Sequence, residues 1–332
     1  TGGGCPHILA EPQRTNLIQY SEAFNSWNTK QNVTVAEDTS ETTSPSGNNT
    51  ASKITINSSG TPRRLYEIVT TSSGNDYTFT LYAKKGTTDY IRILFSSVII
   101  DVAFNLTSGT VTSGAGSIEA VGNDWYRIQA TGTSSSASEV PQIQLSSSAS
   151  VSDYLYIYGC QIEEGSYATS YIPTSGSTVT RNQDIFTRDG IGSLINSTEG
   201  CVFGEGNFAE SNSSSYNYFV SLSDGTSNNR LEIRQSASNL QFLWRVATYQ
   251  SEISTSSLDV SSNFKFALNY SAANIKFYVN GNLIGTINTP TLWSANTLNR
   301  LAFDDGAGGN RLSGKVKQLQ VYDTALTDEQ LE

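Results

Sequence analysis

The chain of 332 residues contains no methionine and only one histidine, His7. Because a natural start is missing, we interpret the sequence as a fragment or processed piece of a longer protein. His7 lies in a linker-like N-terminal stretch, where we expect a structural or incidental role. We therefore exclude Ser-His-Asp catalysis, Cys-His catalysis and metal sites built from several histidines.

Long hydrophobic runs and an excess of positive charge are also missing. No apolar stretch approaches the roughly 20 residues of a membrane-spanning helix, and residues 1–4 lack the basic start of a signal peptide. The 20 basic and 30 acidic residues give a formal net charge of −10. Since nucleic-acid binders carry basic surfaces that contact phosphates, we predict neither membrane insertion nor nucleic-acid binding.

Cysteine is scarce. Cys5, Cys160 and Cys201 are too few and too scattered for a disulfide scaffold, and no Cys-x-x-Cys pair indicates structural zinc. An odd number leaves at least one thiol unpaired. One bridge, between Cys5 and Cys160, would fall within a single predicted domain, and the sequence leaves its formation open.

The pattern that dominates the sequence is alternation of apolar and polar residues, which recurs from about residue 65 to the end. In residues 77–83 it places Tyr77, Phe79 and Leu81 on one face of a strand, and turn sequences such as residues 122–124 separate such runs. Helical periodicity is nearly absent. We predict an all-β fold of two antiparallel β-sandwich (jelly-roll) modules in tandem.

An aperiodic polar run that contains proline and glycine, residues 172–178, predicts the end of the first module. We assign residues 1–184 to a first β-sandwich with an N-terminal linker segment, and residues 185–332 to a second. In the second, Asn280-Gly281 predicts a type I′ hairpin. Near the end, Thr327 as N-cap and Gln330 three residues later predict a capped helical turn.

Three separated blocks resemble a module common in bacteriophage and prophage tail-fibre or head-fibre proteins. They are residues 3–22, which include Glu11-Pro12-Gln13-Arg14-Thr15-Asn16-Leu17, then residues 122–127 and residues 161–174. The resemblance implies a carbohydrate-binding-like jelly roll carried on a surface-exposed viral or phage-derived fibre. Cys160 departs from the small residue expected there, so the bridge to Cys5 is not a feature that the resemblance implies.

The second module resembles a laminin-G-like, concanavalin A-type lectin sandwich in residues 275–285 and 312–331. These motifs belong to the scaffold. They imply a fold and not a ligand, because one fold hosts lectins, adhesion domains and glycan-cleaving enzymes.

Catalytic carboxylates of the usual spacing are absent. Glycosidases of this fold carry Glu-x-Asp-x-x-Glu on one strand face, and no such string occurs; the related lyases need a histidine that the second module lacks. The adjacent pairs Glu163-Glu164 and Asp304-Asp305 point to opposite faces when extended. We therefore predict no enzymatic activity.

Sugar binding requires only aromatic rings flanked by polar groups. Trp27 and Trp293 are our first candidates, because both lie in predicted loops and loops of sandwich domains carry binding sites. Trp125 and Arg127 share a strand face, and for them a sugar site and a scaffold role stay equally open. Trp244 shares a face with apolar residues and is assigned to the core, so its loss, unlike that of the loop aromatics, is expected to lower the melting temperature.

Asp304 and Asp305 open a glycine-rich loop, residues 304–310. Carboxylate and carbonyl oxygens bind Ca²⁺, so the two aspartates are candidate calcium ligands, and a plain glycine-rich loop is the alternative.

These observations predict a non-enzymatic surface fibre or adhesin segment, extracellular or on a virion, that binds glycans or a host-cell-surface polysaccharide. A homo-oligomer is expected, and a trimer would suit a fibre. One alternative is the ancillary carbohydrate-binding region of a secreted polysaccharide-degrading enzyme. Another is a purely structural decoration or assembly module.

Overall fold

The computed structural model describes residues 7–95, 100–211 and 213–331. The first seventeen strands are β1 (Ile8–Ala10), β2 (Arg14–Asn16), β3 (Thr29–Gln31), β4 (Val33–Ala36), β5 (Ser52–Ile56), β6 (Arg64–Tyr66), β7 (Val69–Thr70), β8 (Asp76–Lys85), β9 (Tyr90–Leu94), β10 (Asp101–Asn105), β11 (Thr110–Ser113), β12 (Ser117–Gly122), β13 (Trp125–Thr133), β14 (Ser138–Glu139), β15 (Gln142–Leu145), β16 (Tyr154–Glu164) and β17 (Val179–Arg181).

The remaining strands are β18 (Thr187–Asp189), β19 (Gly200–Phe208), β20 (Ser213–Ser223), β21 (Asn229–Ala237), β22 (Asn239–Val246), β23 (Tyr249–Ser254), β24 (Phe264–Tyr270), β25 (Asn274–Val279), β26 (Asn282–Asn288), β27 (Arg300–Ala302) and β28 (Gly314–Tyr322). A 3-10 turn covers Phe24–Ser26, and a short helix, α1, covers Asp328–Leu331. None of the helices described is long and apolar enough to cross a membrane. The predicted all-β class is confirmed.

The first compact unit contains residues 13–182. It is a sandwich of two six-stranded antiparallel sheets, which we call sheet I (β11-β10-β9-β15-β6-β3) and sheet II (β12-β13-β8-β16-β5-β4). Alternation explains the packing, since Phe79 and Leu81 of sheet II and Ile91 and Ile93 of sheet I are all buried in one hydrophobic core. The opposite side chains of each strand therefore face outward.

The second compact unit contains residues 183–332 together with residues 3–12. Its two antiparallel sheets are sheet III (β1-β28-β19-β24-β25-β26) and sheet IV (β18-β27-β20-β21-β22-β23). Phe242 of sheet IV packs 5.9 Å from Phe277 of sheet III, ring centre to ring centre, inside a second hydrophobic core. At Gly206 of β19 a Cβ atom would lie 2.0 Å from the Lys315 carbonyl oxygen, so this close strand contact requires glycine.

Two local predictions for this unit are confirmed. Asn280 and Gly281 have φ angles of 50° and 77° and connect β25 to β26, as a type I′ turn requires. At the start of α1, the Thr327 amide donates to Gln330 Oε1 at 3.0 Å, which is one half of a capping box.

The N-terminal segment differs from the domain assignment made from sequence, which placed it with the first module. β1 pairs with β28 and forms one edge of sheet III, with Ile8 opposite Val316. Because an extended apolar segment can complete a sheet edge far along the chain, local composition gave no sign of this pairing.

The cysteines described are free thiols buried in the protein. Burial raises the pKa of the Cys160 thiol well above its usual value, and that of Cys201 to about 12. Cys5 lies outside the described residues, so the bridge considered above stays a prediction.

Candidate functional site

Trp27 is not the exposed loop aromatic expected from the sequence. Its side chain is 2% exposed, it packs 5.2 Å from the Phe24 ring, and its indole N–H donates to the Tyr20 carbonyl oxygen at 2.8 Å. The polar composition of the segment hides a 3-10 turn that folds the ring into the core. A buried ring with its one donor satisfied has no face left for a sugar.

Trp293 is also buried, at 3% exposure, and its ring centre lies 3.7 Å from that of Trp244. The Trp293 N–H donates to the Arg245 carbonyl oxygen at 2.8 Å, and the Trp244 N–H donates to the Thr291 carbonyl oxygen at 3.0 Å. These two hydrogen bonds connect the segment around Trp293 to strand β22, which carries Trp244. The binding role expected of Trp293 is incompatible with this burial, whereas the core assignment of Trp244 is confirmed.

Trp125 and Arg127 lie on the outer face of β13, but both are engaged by the protein. Trp125 is buried and donates to the Thr43 carbonyl oxygen at 2.8 Å. The Arg127 guanidinium donates to the Thr169 carbonyl oxygen and lies 5.7 Å from the Tyr82 ring centre. Of the two roles left open, these contacts favour the scaffold.

Asp304 and Asp305 use their carboxylates to close their own loop. Asp304 is buried; one oxygen accepts from the Gly306 amide and the other from Arg300 Nη2, both at 2.8 Å. Asp305 accepts from the Gly309 amide at 3.0 Å. No group of three or more His, Cys, Asp or Glu side chains suited to a metal occurs in the described ranges. The loop is the plain glycine-rich alternative, because its carboxylates already have donors.

The outer face of sheet IV carries a charged group that the sequence analysis did not single out. In β21, Leu231 and Ile233 point into the core, so Arg230, Glu232 and Arg234 point outward. We call these three residues the arginine cluster. Their alternation with apolar residues is visible in the sequence, but it reads there as an ordinary amphipathic strand.

Glu232 is shared by the two arginines. Its Oε1 accepts from Arg234 Nη1 at 2.7 Å, and its Oε2 lies 2.8 Å from Arg230 Nε. Glu232 is fully buried, and this burial raises the pKa of its carboxyl group to about 7, against the opposing effect of the two guanidinium groups. These three residues carry two cations and one buried carboxylate, and the Glu252 carboxylate, 3.8 Å from Arg234 Nη2, offsets the remaining positive charge.

Arg234 is the member that lies nearest to groups with solvent access. Its Nε donates to Gln241 Oε1 at 2.7 Å, and its guanidinium carbon lies 4.0 Å from the centre of the Tyr216 ring. Tyr216 is 48% exposed. Glu252, whose side chain is half exposed, lies 3.8 Å from Arg234 Nη2, which is too long for a hydrogen bond. The buried Arg234 guanidinium therefore lies next to an exposed aromatic ring and a half-exposed carboxylate.

A groove of about 350 Å³ crosses the outer face of sheet III, over Ala267 between Phe203 and Tyr278. Leu331 of α1 packs into the same cluster, and the Tyr278 hydroxyl donates to Asp328 at 2.9 Å. We assign this groove to the packing of the C-terminal turn.

Comparison with known proteins identifies a family that part of the second unit resembles. Residues 207–332 match the Laminin_G_3 family, described as the concanavalin A-like lectin/glucanases superfamily. The match lies within the second unit, which is therefore lectin-like in fold. No curated protein matches the chain.

Similar solved structures include the CBM40 of the Ruminococcus gnavus IT-sialidase, with a TM-score of 0.37 and 14% identity over 44% of this chain and 96% of that one. The heptameric SAP-like pentraxin from Limulus polyphemus has a TM-score of 0.34 and 20% identity over 41% of this chain and 69% of that one. The leech intramolecular trans-sialidase has a TM-score of 0.36 and 13% identity, over 44% and 27%.

Proposed function

We propose that the second unit binds carboxylated glycans at the arginine cluster, as the recognition segment of a non-enzymatic surface fibre. The observation that carries this proposal is the excess of guanidinium over carboxylate at Arg230, Glu232 and Arg234 on the outer face of a lectin-like sheet. Gln241 and Glu232 take up Arg234 Nε and Nη1, so the donor left for a sugar carboxylate is Nη2, and it is held in place at little entropic cost.

The groups around Arg234 supply the remaining contacts that a sugar needs. The exposed ring of Tyr216 can stack against the apolar face of a pyranose, and Glu252 can accept hydrogen bonds from its hydroxyls. Gln241 and Glu232 orient the guanidinium from behind. Glu252 lies too far from Arg234 Nη2 for a hydrogen bond, so a sugar carboxylate that replaces it there would gain one, which favours an acidic sugar.

The test is isothermal titration of the full chain with 3′-sialyllactose, a carboxylated trisaccharide, and with lactose, its neutral counterpart. One of the similar structures is a CBM40 bound to α2,3-sialyllactose, which makes this a suitable first probe. We expect binding of sialyllactose only. Tyr216→Ala and Arg234→Lys should each weaken it about tenfold or more, because a stacking ring or the positioned Nη2 donor is lost.

Arg188→Ala is the matched control, because Arg188 is an exposed arginine of the same sheet outside the cluster. It should bind like the parent. Equal binding of lactose and sialyllactose, or unchanged affinity in a folded Tyr216→Ala variant, would contradict the assignment of the site.

Affinity for the acidic sugar should fall as the pH rises from 6 to 8. Through this range Glu232, with its pKa near 7, loses its proton and adds a negative charge beside Arg234, while the sugar carboxylate stays ionised throughout. We expect the negative charge on Glu232 to weaken binding of the sugar carboxylate by on the order of 1 kcal/mol, or roughly fivefold in Kd. Titrations at pH 6 and pH 8 measure the effect, and Glu232→Gln should abolish the difference between them.

The fibre role is proposed from the N-terminal sequence blocks and gives an extracellular or virion-surface location, with a trimer as the proposed oligomer. Its rivals are the ancillary binding region of a secreted polysaccharide-degrading enzyme and a structural assembly module. The parent gene separates the first two, since a particle-attachment domain and a catalytic domain differ clearly. Glycan binding by the chain would distinguish the fibre and the enzyme's binding region from the structural assembly module.

A further inference from the structure

The first unit has a polar sheet face of its own, on the outer side of sheet I. Leu65, Ile143, Ile91 and Ile93 point into the core, so the residues between them point outward. The outward residues at the centre of the sheet, which we call the amide face, are Gln31, Arg64, Gln142, Gln144, Arg92 and Asp101.

The amide face is joined by hydrogen bonds that hold its side chains in place. Arg64 Nη1 and Gln144 Nε2 both donate to Gln142 Oε1, at 2.7 and 3.0 Å, and Arg64 Nε donates to Gln31 Oε1 at 3.2 Å. Within the described residues, Gln144 Oε1 and Gln142 Nε2 have no partner. The network therefore presents one ordered acceptor and one ordered donor outward.

Arg92 and Asp101 form the charged part of this face. Arg92 Nε and Nη2 donate to the two Asp101 oxygens at 2.6 and 2.5 Å, so the pair is bidentate. The side chains are 34% and 38% exposed, which leaves their outer edges open to solvent. The hydrogen bonds to Arg92 hold the pKa of Asp101 below its usual value. The pair is thus neutral as a whole, with both donors and acceptors available.

A groove of about 590 Å³ lies beside this pair, lined by Pro62, Tyr90, Arg92, Gln144 and Ser146–Ser148. Its wall is fixed from beneath, because the buried Arg63 donates to the carbonyl oxygens of Ser146 and Ala149 at 3.0 and 2.5 Å. The volume falls within the range of about 300–1,000 Å³ found for ligand sites. The groove is therefore a formed cleft with ordered polar groups along one side.

We propose that this groove binds a short neutral oligosaccharide, as a second sugar site separate from the arginine cluster. Vicinal hydroxyls of a pyranose each donate and accept, and here the guanidinium of Arg92, the amide of Gln144 and the serine hydroxyls of residues 146–148 line the groove to meet them. The Tyr90 ring offers an apolar surface for the other face of the sugar.

The chemistry of the lining selects this class of ligand over others. Arg92 is paired with Asp101, and the donors of the buried Arg63 are taken up by backbone carbonyl oxygens, so neither guanidinium is left to pair with the carboxylate of an acidic sugar. The groove follows the face of the sheet and not a free edge, so a peptide cannot add to it as another strand.

The experiment uses the full chain and four neutral trisaccharides as probes: maltotriose, cellotriose, xylotriose and triacetylchitotriose. Saturation-transfer NMR identifies the ligand, and calorimetry measures its affinity. We expect at least one to bind. Gln144→Ala and Arg92→Ala should each reduce that affinity about tenfold, through loss of a sugar hydrogen bond to an ordered partner.

Gln129→Ala is the matched control, a glutamine on sheet II of the same unit, and should bind like the parent. Melting curves check folding, and Gln144→Ala removes a half-buried surface side chain that leaves the core intact. Binding by none of the four sugars, or unchanged binding in folded Gln144→Ala, would overturn the proposal. Tyr216→Ala should leave neutral-sugar binding unchanged, so failure at one site is distinguishable from failure at the other.

Discussion

Trp293→Ala is expected to destabilise the second unit by about 3 to 5 kcal/mol, the usual cost of removing a buried tryptophan. The substitution removes the ring whose centre lies 3.7 Å from that of Trp244, and it removes the indole donor to the Arg245 carbonyl oxygen. Thermal unfolding followed by calorimetry should show one transition shifted strongly downward. The transition of the first unit should stay in place.

Trp244→Ala is the comparison, because it removes the other half of the pair. The two single variants should lose similar amounts of stability, and the double variant should lose less than their sum, since each ring depends on the other. A Trp293→Ala variant that melts like the parent would restore the loop role that the sequence favoured. It would also contradict the burial described here.

Glu232→Leu should cost about 3 to 5 kcal/mol at pH 8, where the carboxylate is ionised, because it leaves two arginines buried without an acid between them. Arg230 and Arg234 then repel each other across a space from which water is largely excluded. Urea unfolding of the second unit measures the loss. Sugar binding by the Glu232→Leu variant is measured separately, without urea, and the affinity is calculated for the folded fraction of the protein.

A triple variant tests whether the cost comes from charge or from shape. Arg230→Met, Glu232→Leu and Arg234→Met together replace the triad by apolar side chains of similar length, and such replacements are often neutral or stabilising. The triple variant should regain most of the stability and bind no acidic sugar. A single Glu232→Leu variant with undiminished stability would mean that the two arginines are hydrated and not buried.

The strands were predictable because alternation and turn chemistry act locally. Tyr77, Phe79 and Leu81 are buried on one face as expected, and Asn280-Gly281 makes the expected hairpin. The prediction that Trp27 and Trp293 are exposed was wrong for a physical reason. Composition shows that a segment is polar, but it does not show whether the segment folds back onto a sheet, as the one around Trp293 does.

The candidate sites were missed because they arise between strands. Arg230, Glu232 and Arg234 look like the solvent side of a strand until Tyr216 and Gln241 are placed against them by pairing with β20 and β22. Gln144 and Arg92 are 52 positions apart in the numbering and become neighbours only through the register of β15 and β9. The alternation of polar and apolar residues is visible in the sequence, whereas the neighbours of each polar side chain are determined by the register between strands.

The pairing of β1 with β28 determines how the chain would carry tension. Residues 3–12 belong to the second unit, and residues 13–182 leave and rejoin it through β2 and β17, which pair with each other. Ile8 lies opposite Val316 and Ala10 opposite Gly314, so a pull between residues 7 and 322 acts at one end of this ladder. Its hydrogen bonds would open one after another, as in unzipping, and not all together in shear. Load applied between residues 7 and 322 would thus first separate a three-residue strand, and reach the first unit only afterwards.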